Sequence, residues 1–447
     1  SRRKLMSQYI INGGKALKGE VSIRGAKNAS FKQIIATLLT DKTCQLDNVP
    51  VIADVKITES IAKQLGTQIK PVGEHSIELT TSTITSTTVP FGTGQKSRSS
   101  FLFAAPLLAR KGQATFPLPG GDKLGDRPLD RFFDCLKRMN VKIHENNGII
   151  TLTTTNLKAT QYRFNKPSHT VTEAVLLLAT LTPGTSIFQN CAREPEIDDL
   201  IEFLKDMGAK INRDSKYPDQ IQITGVSKLT GAKHQVIADR NEAVTFACAA
   251  LATKGSVNIL RINPAIIETF LQTVEQMGAR VDRGKEELII SWVQPLKAVD
   301  IETGPEPMFM TDWQPVFTVV LSQAIGCSHL IERVFPYRFH HIEEFKKMGL
   351  KAEYFNPIVD NPASYYEFNP ESNRPEYFHG VKIFGPAKLQ PADFMVNDLR
   401  TGASLTLAAL TAEGKSSIEG VENIERGYEK LADRLCYLGA NIEYIKT

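Results

Sequence analysis

"KDMGAKI", residues 205–211, decides how the chain is read. A bulky Met is followed by Gly and then by a short run of the kind that enters a strand. Glycine takes the left-handed conformation that closes a helix C-terminus, and Asn is the next best residue for it. Five further segments repeat the pattern: "KQLGTQI" (63–69), "KRMNVKI" (137–143), "EQMGARV" (275–281), "KKMGLKA" (346–352) and "CYLGANI" (436–442). The closing residues are Gly66, Asn140, Gly208, Gly278, Gly349 and Gly439. They recur roughly every 70 residues, a period well beyond that of a solenoid repeat.

A second marker precedes most of these closures. Ala/Leu-rich helical runs such as "EAVLLLATLTPGTSIFQN", "AVTFACAALATKGSVNIL" and "ASLTLAALTAEGKSSIEG" each lead through a small-residue turn into a strand. Each unit thus reads as strand–helix–strand–helix–strand, and six of them suit a pseudo-symmetric α/β protein. The last interval is about 20 residues longer than the others. Its excess falls in "EYFNPIVDNPASYYEFNPESNRPEYFHG" (353–380), rich in Pro, Asn and aromatics, which reads as an inserted loop.

Composition narrows the class of function. The 447 residues are 42% hydrophobic and 23% charged, ordinary for a globular chain with two or three domains. A formal net charge of +4, with no Lys/Arg block, gives no support to a nucleic-acid partner. Six cysteines, far apart and without a C-x-x-C pair, argue against a zinc site or disulfide framework and suit a reducing cytoplasm. The opening "SRRKLMSQYI" has no apolar run behind it, and no segment approaches a membrane span. "FGTGQKS" (91–97) lacks the spacing of a P-loop, and no G-x-G-x-x-G or H-E-x-x-H is present.

Charged residues gather where helices should begin. "LPGGDKLGDRP" (118–128) is a Gly-rich loop feeding a helix, with Pro128 set for its first turn, and such a loop can hold an anion. "RGAKNASF" (24–31) puts Lys27 before an apolar helix with Asn28 as its expected N-cap. "QKSRSS" carries Arg98, "NDLRTGAS" carries Asp398 and Arg400, and "IERGYEKL" sets Arg426 in the first turns of the last long helix. Singly, each is an ordinary solvated cap; together they make a case for a small, multiply anionic substrate.

Seven motifs in order carry a resemblance. "LKGEVSIRGAKNAS", "LPGGDKLGDRPLD", "AREPEIDDL", "FMTDWQPVFT", "VFPYRFHHIEEFKKMG", "VNDLRTGASL" and "IERGYEKL" resemble those of the UDP-N-acetylglucosamine enolpyruvyl transferases, from about residue 9 to the end. The resemblance implies an α/β fold: an inside-out α/β barrel, two globular domains built from six βαβαββ repeats. One domain would be 27–236 and the other 1–26 plus 237–447, with the active site in the cleft between them. It implies transfer of the enolpyruvyl group of phosphoenolpyruvate to the 3′-hydroxyl of a UDP-sugar by addition and elimination. No metal or organic cofactor is implied, and the protein would be cytoplasmic, a monomer or weak oligomer.

Residue by residue, the resemblance puts Lys27, Arg127 and Arg426 on phosphoenolpyruvate, with Arg98 a further basic position. Arg338 and Arg400 match arginines associated with the carboxylate and with domain closure. Asn28, Asp130, Arg131, Ser168 and Val334 match positions that hold the sugar nucleotide, and His169 is assigned as a contact beside them. Asp312 matches the carboxylate next to the attacking hydroxyl and is the expected base; Asp398 belongs to the same carboxylate set. Asp122 stands where many members have the cysteine that protonates C3, so it is the expected general acid, its pKa raised by exclusion of water. The thiol-alkylating epoxide fosfomycin would then not inactivate the enzyme at that position.

Three departures bear on the acceptor rather than the reaction: "SHTVT" (168–172) where members have an "SVGAT"-like stretch, Trp313 directly after Asp312, and the 353–380 insert. Transfer to shikimate 3-phosphate, transfer to another uridine nucleotide, and a non-catalytic nucleotide-sugar sensor stay open at this point.

Overall fold

The computed structural model describes residues 7–118 and 129–446. All six expected closures are left-handed, with φ of +112° at Gly66, +66° at Asn140, +97° at Gly208, +106° at Gly278, +95° at Gly349 and +98° at Gly439. Each turns the chain into an outer strand: Gln68–Gly73, Lys142–Asn146, Lys210–Arg213, Arg280–Arg283, Lys351–Phe355 and Asn441–Ile445. Each of these strands lies at the edge of its own sheet, so six closures give six sheets. Among the described residues, five sheets have four strands and one has three. In the three-stranded sheet a single parallel bridge, Thr88↔Thr115, stands where the others have a fourth strand.

Every four-stranded sheet combines antiparallel pairs with one parallel pair at its other edge. Parallel strands cannot be joined by a tight turn and need a crossover. Helices His169–Ala179, Gln314–Gln323 and Leu399–Thr411 supply three of them. These helices are apolar nearly all round, which is the pattern of a helix enclosed by protein rather than laid on a surface. Their few hydroxyls turn back on the helix: Thr180, Thr318 and Thr406 each donate to the carbonyl four residues earlier. Helices Ala53–Gln64, Pro195–Asp206 and Glu268–Met277 instead bury one face and expose the other.

The described residues fall into two compact units. A discontinuous unit comprises 7–24 and 238–446; a central unit comprises 25–118 and 129–237. Each has its own hydrophobic core and its own three sheets. In the discontinuous unit Arg240–Ala252, Gln314–Gln323 and Leu399–Thr411 pack on one another as an inner layer. In the central unit Ala104–Lys111 packs on His169–Ala179 in the same way.

The chain passes from one unit to the other at 24/25 and returns at 237/238. At the first passage a Cβ on residue 25 would sit 1.7 Å from the Asn48 carbonyl oxygen, so only glycine fits. Ala26 N–H donates to the Ile237 carbonyl at 2.7 Å and fixes an extended backbone there. Ala26 is therefore the N-cap of helix Lys27–Ala36, without a side-chain cap, and Asn28 lies inside the first turn rather than capping it as the sequence suggested.

The 353–380 stretch is narrower as a loop than the sequence implied. Its ends belong to strands Lys351–Phe355 and Gly380–Gly385, which pair antiparallel as far as Phe355↔Gly380. The excursion proper is 356–379, ordered by a short helix, Pro362–Tyr365, and a 3-10 turn, Pro370–Ser372.

Candidate functional site

In the central unit, three helix starts carry the expected residues. Lys27 opens the helix Lys27–Ala36, and its Nζ lies 2.7 Å from Asp54 Oδ2 in the first turn of the next helix. Ser168 is the N-cap of His169–Ala179, its hydroxyl accepting from Val171 N–H at 3.4 Å. Asp130 and Arg131 begin helix Asp130–Arg138, and Arg131 Nη1 donates to the Pro167 carbonyl at 3.3 Å, next to Ser168. Arg98 opens a 3-10 turn, Arg98–Phe103, and is half-buried. Asp122, Arg127 and Pro128 lie outside the described residues.

A buried Lys–Glu contact joins two of these starts, those of Lys27–Ala36 and His169–Ala179. Lys32, one turn into the first helix, donates to the Asn28 carbonyl and lies 3.1 Å from Glu173 Oε1. Glu173, one turn into the second helix, is 3.3 Å from His169 Nε2. Burial pushes the Glu173 carboxyl up to about 8, with Lys32 pulling against it and Glu196 and Glu194 adding to the rise. His169 is thus part of a buried charge cluster as well as a neighbour of Ser168. Neither Lys32 nor Glu173 was singled out from sequence, although each is a lone charge in an apolar helical run and such charges are seldom buried unpaired.

In the discontinuous unit the expected residues converge on Asp312. Its Oδ1 accepts from Arg338 Nη2 at 2.8 Å and its Oδ2 from Arg400 Nη2 at 3.0 Å. Arg400 Nη1 donates to the Tyr428 hydroxyl at 3.0 Å, which meets Thr245 Oγ1 at 2.8 Å. Burial alone would lower the Arg400 pKa, but Tyr428, Asp312 and Asp239 hold it well above its ordinary value, fully charged. Both guanidiniums have the fork geometry that suits an incoming carboxylate or phosphate, and Asp239 and Asp398 lie beside Arg400 as further counter-charges.

Asp398 sits beside this clamp as the N-cap of Leu399–Thr411. Its Oδ1 accepts from Arg400 N–H at 3.1 Å and Thr401 N–H at 3.0 Å, and its Oδ2 is 2.9 Å from His340 Nε2. Burial would raise the Asp398 carboxyl, but the His340 and Thr401 hydrogen bonds outweigh it and hold the group well below its ordinary range. His340 was not singled out from sequence, because nothing local distinguishes it from His341. His341 is fully buried, and burial drops it to about 3, so it stays neutral.

Val334 N–H donates at 2.8 Å to the carboxylate of Glu332, another residue that sequence reading passed over. Arg426 ends the short helix Glu422–Glu425 instead of standing in the last long helix, because the chain breaks before Leu431–Tyr437. Trp313 is 1% exposed and packs edge-on to Phe270 and Phe309, so its place next to Asp312 reflects the core. Among the described residues, no group of three His, Cys, Asp or Glu is arranged to hold a metal ion, and no helix is long and apolar enough to cross a membrane.

Comparison with known proteins gives the family of the chain. Residues 11–435 match the family described as EPSP synthase (3-phosphoshikimate 1-carboxyvinyltransferase). The chain belongs to the EPSP synthase family. It is 36% identical over 440 residues to UDP-N-acetylglucosamine 1-carboxyvinyltransferase 1 of Carboxydothermus hydrogenoformans, covering 98% of this chain and 99% of that one. It is also 36% identical over 441 residues to UDP-N-acetylglucosamine 1-carboxyvinyltransferase of Idiomarina loihiensis, covering 98% and 100%. Among solved structures it resembles the enolpyruvyl transferase NikO from Streptomyces tendae, with a TM-score of 0.85 at 22% identity over 99% of this chain and 100% of that one. It resembles EPSP synthase from Acinetobacter baumannii with a TM-score of 0.72 at 19% identity over 98% and 100%. At these identities the structural likenesses speak for the fold alone.

Proposed function

We propose that this protein is a transferase that moves the enolpyruvyl group of phosphoenolpyruvate to the 3′-hydroxyl of UDP-N-acetylglucosamine and releases phosphate. The observation that carries this reading is the full-length relation, at 36% identity, to two proteins bearing the name of that activity. The clamp of Arg338 and Arg400 on Asp312 supports it chemically.

The reaction needs cations for a carboxylate and a phosphate, a proton donor at C3 and an acceptor for the hydroxyl proton. In this reading Lys27, Arg127 and Arg426 hold phosphoenolpyruvate and Arg98 adds to the positive field. Arg338 and Arg400 exchange Asp312 for the substrate's carboxylate, and Asp312, freed of them, becomes the base. Asp122 is the acid. Asn28, Asp130, Arg131, Ser168, His169 and Val334 hold the sugar nucleotide. Asp398 fixes the helix start from which Arg400 projects. The chemistry draws only on side chains and the two substrates, and the product would serve the building of peptidoglycan precursors in the cytoplasm.

Phosphate release from phosphoenolpyruvate tests the reading, measured with UDP-N-acetylglucosamine beside shikimate 3-phosphate and other uridine nucleotides. We expect release with the first and its near-complete loss in Asp122→Asn. Release only with another acceptor would move the specificity and keep the chemistry. No release with any of them would sink the proposal.

A further inference from the structure

The excursion 356–379 is anchored at two points that bracket Val334 and Phe335. At the first, the Arg333 guanidinium lies 4.3 Å over the Tyr365 ring, and Arg333 Nε donates to the Tyr365 carbonyl at 3.0 Å. The Arg333 carbonyl in turn accepts from Glu367 N–H at 2.8 Å. At the second, the Tyr337 ring stacks on Tyr377 with centroids 4.9 Å apart and planes at 29°. An arginine held in this way cannot swing without losing a stacking contact and a hydrogen bond at once.

Between the anchors and the sheet lies Glu332. Its N–H donates to the His379 carbonyl at 2.8 Å, where the excursion rejoins the sheet. The His379 ring packs at a tilt against Tyr366 and Phe368, with centroids 4.8 Å and 5.1 Å away, a small core that belongs to the excursion itself. The Glu332 side chain is 1% exposed. It accepts from Val334 N–H at 2.8 Å, Phe335 N–H at 3.1 Å and Thr311 Oγ1 at 2.9 Å. Thr311 precedes Asp312. One buried carboxylate thus fixes both the turn that presents Val334 and the residue before Asp312, and the excursion packs against the segment that carries it.

We propose that the excursion is a positioning brace for the segment Glu332–Arg338 and through it a determinant of the acceptor. The inference rests on the reading of this protein as an enolpyruvyl transferase. A stretch of this length with its own aromatic core is more than a connector, since strands Lys351–Phe355 and Gly380–Gly385 already meet at Phe355↔Gly380 and a two-residue turn would join them. Most of its contacts fall on the acceptor side, around Val334 and the neighbour of Asp312. Arg338, at the far end of the segment, is reached only through Tyr337, and the clamp between Asp312 and Arg400 is made without the excursion. It therefore acts on where the acceptor lies more than on how tightly phosphoenolpyruvate is held.

The test uses the full chain in three forms: Arg333→Met, Tyr377→Ala, and a variant with 356–379 replaced by Asn-Gly. Each is assayed for the KM of each substrate, for kcat, and for amide exchange at Val334 and Phe335. In all three we expect the acceptor KM to rise, by about tenfold in Arg333→Met, while the KM for phosphoenolpyruvate stays within about twofold. Exchange at Val334 and Phe335 should quicken, and Tyr377→Phe should restore both readouts. Unchanged acceptor KM with unchanged exchange would overturn the brace, and so would equal losses for both substrates. If the wild type itself turns over no acceptor, the functional reading fails, and the exchange rates still decide whether the excursion holds the segment. If the shortened form does not fold, the two point variants decide alone.

Discussion

Asp312 accepts a hydrogen bond from a guanidinium on each of its oxygens, and the two hold the carboxylate in place until one of them leaves. An anionic substrate that draws Arg338 and Arg400 to itself would release the base as it binds, so proton abstraction would follow substrate entry. Asp312→Asn keeps the shape and removes the charge; we expect kcat to fall by about a hundredfold or more with modest change in acceptor KM, read from steady-state kinetics. Glu173 makes a different prediction. Its folded-state pKa, about 8, lies above the ordinary carboxyl value, so the folded protein holds a proton that the unfolded chain has already lost. Stability should therefore fall as pH rises from the ordinary carboxyl range through about 8, and Glu173→Gln should flatten that fall in thermal melts across the same pH values. The Asp312 set was legible because its residues sit in motifs with a known pattern. Lys32–Glu173 was not, because each residue alone looks like a stray charge and only the packing of two distant helices shows them as a pair.

At the scale of elements, what was legible followed from local stereochemistry. Six left-handed closures could be named because Leu or Met followed by Gly, or once by Asn, is a short signal that does not depend on tertiary context. Gly208→Ala tests one of them cleanly. At φ of +97°, with no heavy atom nearer than 4.0 Å to the place an added Cβ would take, the cost is conformational alone. We expect a loss of about 1–2 kcal/mol in denaturant unfolding, without loss of activity. Asp398 tests a helix start: Asp398→Ala removes the acceptor for two N–H groups and should cost about 1–2 kcal/mol, while Asp398→Asn should keep most of that stability. Where local rules failed, a longer-range contact had taken over. Asn28 is a good cap by composition, but the Ala26–Ile237 hydrogen bond starts the helix earlier. "IERGYEKLADRL" reads as one helix until Lys430, at φ of +48°, divides it and leaves Arg426 at the end of a shorter one.

At the scale of the molecule, the number of sheets was legible and the pairing of distant strands was not. Strand Lys18–Ser22 pairs in parallel with Ser256–Leu260, and Lys233–Gln235 with Cys44–Asp47, so each unit closes a sheet with strands about 200 residues apart or more. No periodicity encodes which sheet a strand joins. The central unit draws all its strands from 25–237, and a fragment of those residues should fold alone with a cooperative melt, followed by circular dichroism. Removing residues 1–24 should instead unfold the discontinuous unit, because Gln8–Gly13 is the inner strand of its sheet, between Gly414–Glu419 and Asn441–Ile445. That placement also sets a timetable. A ribosome delivers Gln8–Gly13 about 400 residues before either of its partners, so the strand must wait unpaired while the central unit emerges and closes its own core. The discontinuous unit is finished only as its last strand leaves the exit tunnel, which makes the early strand the part of the nascent chain most in need of shelter.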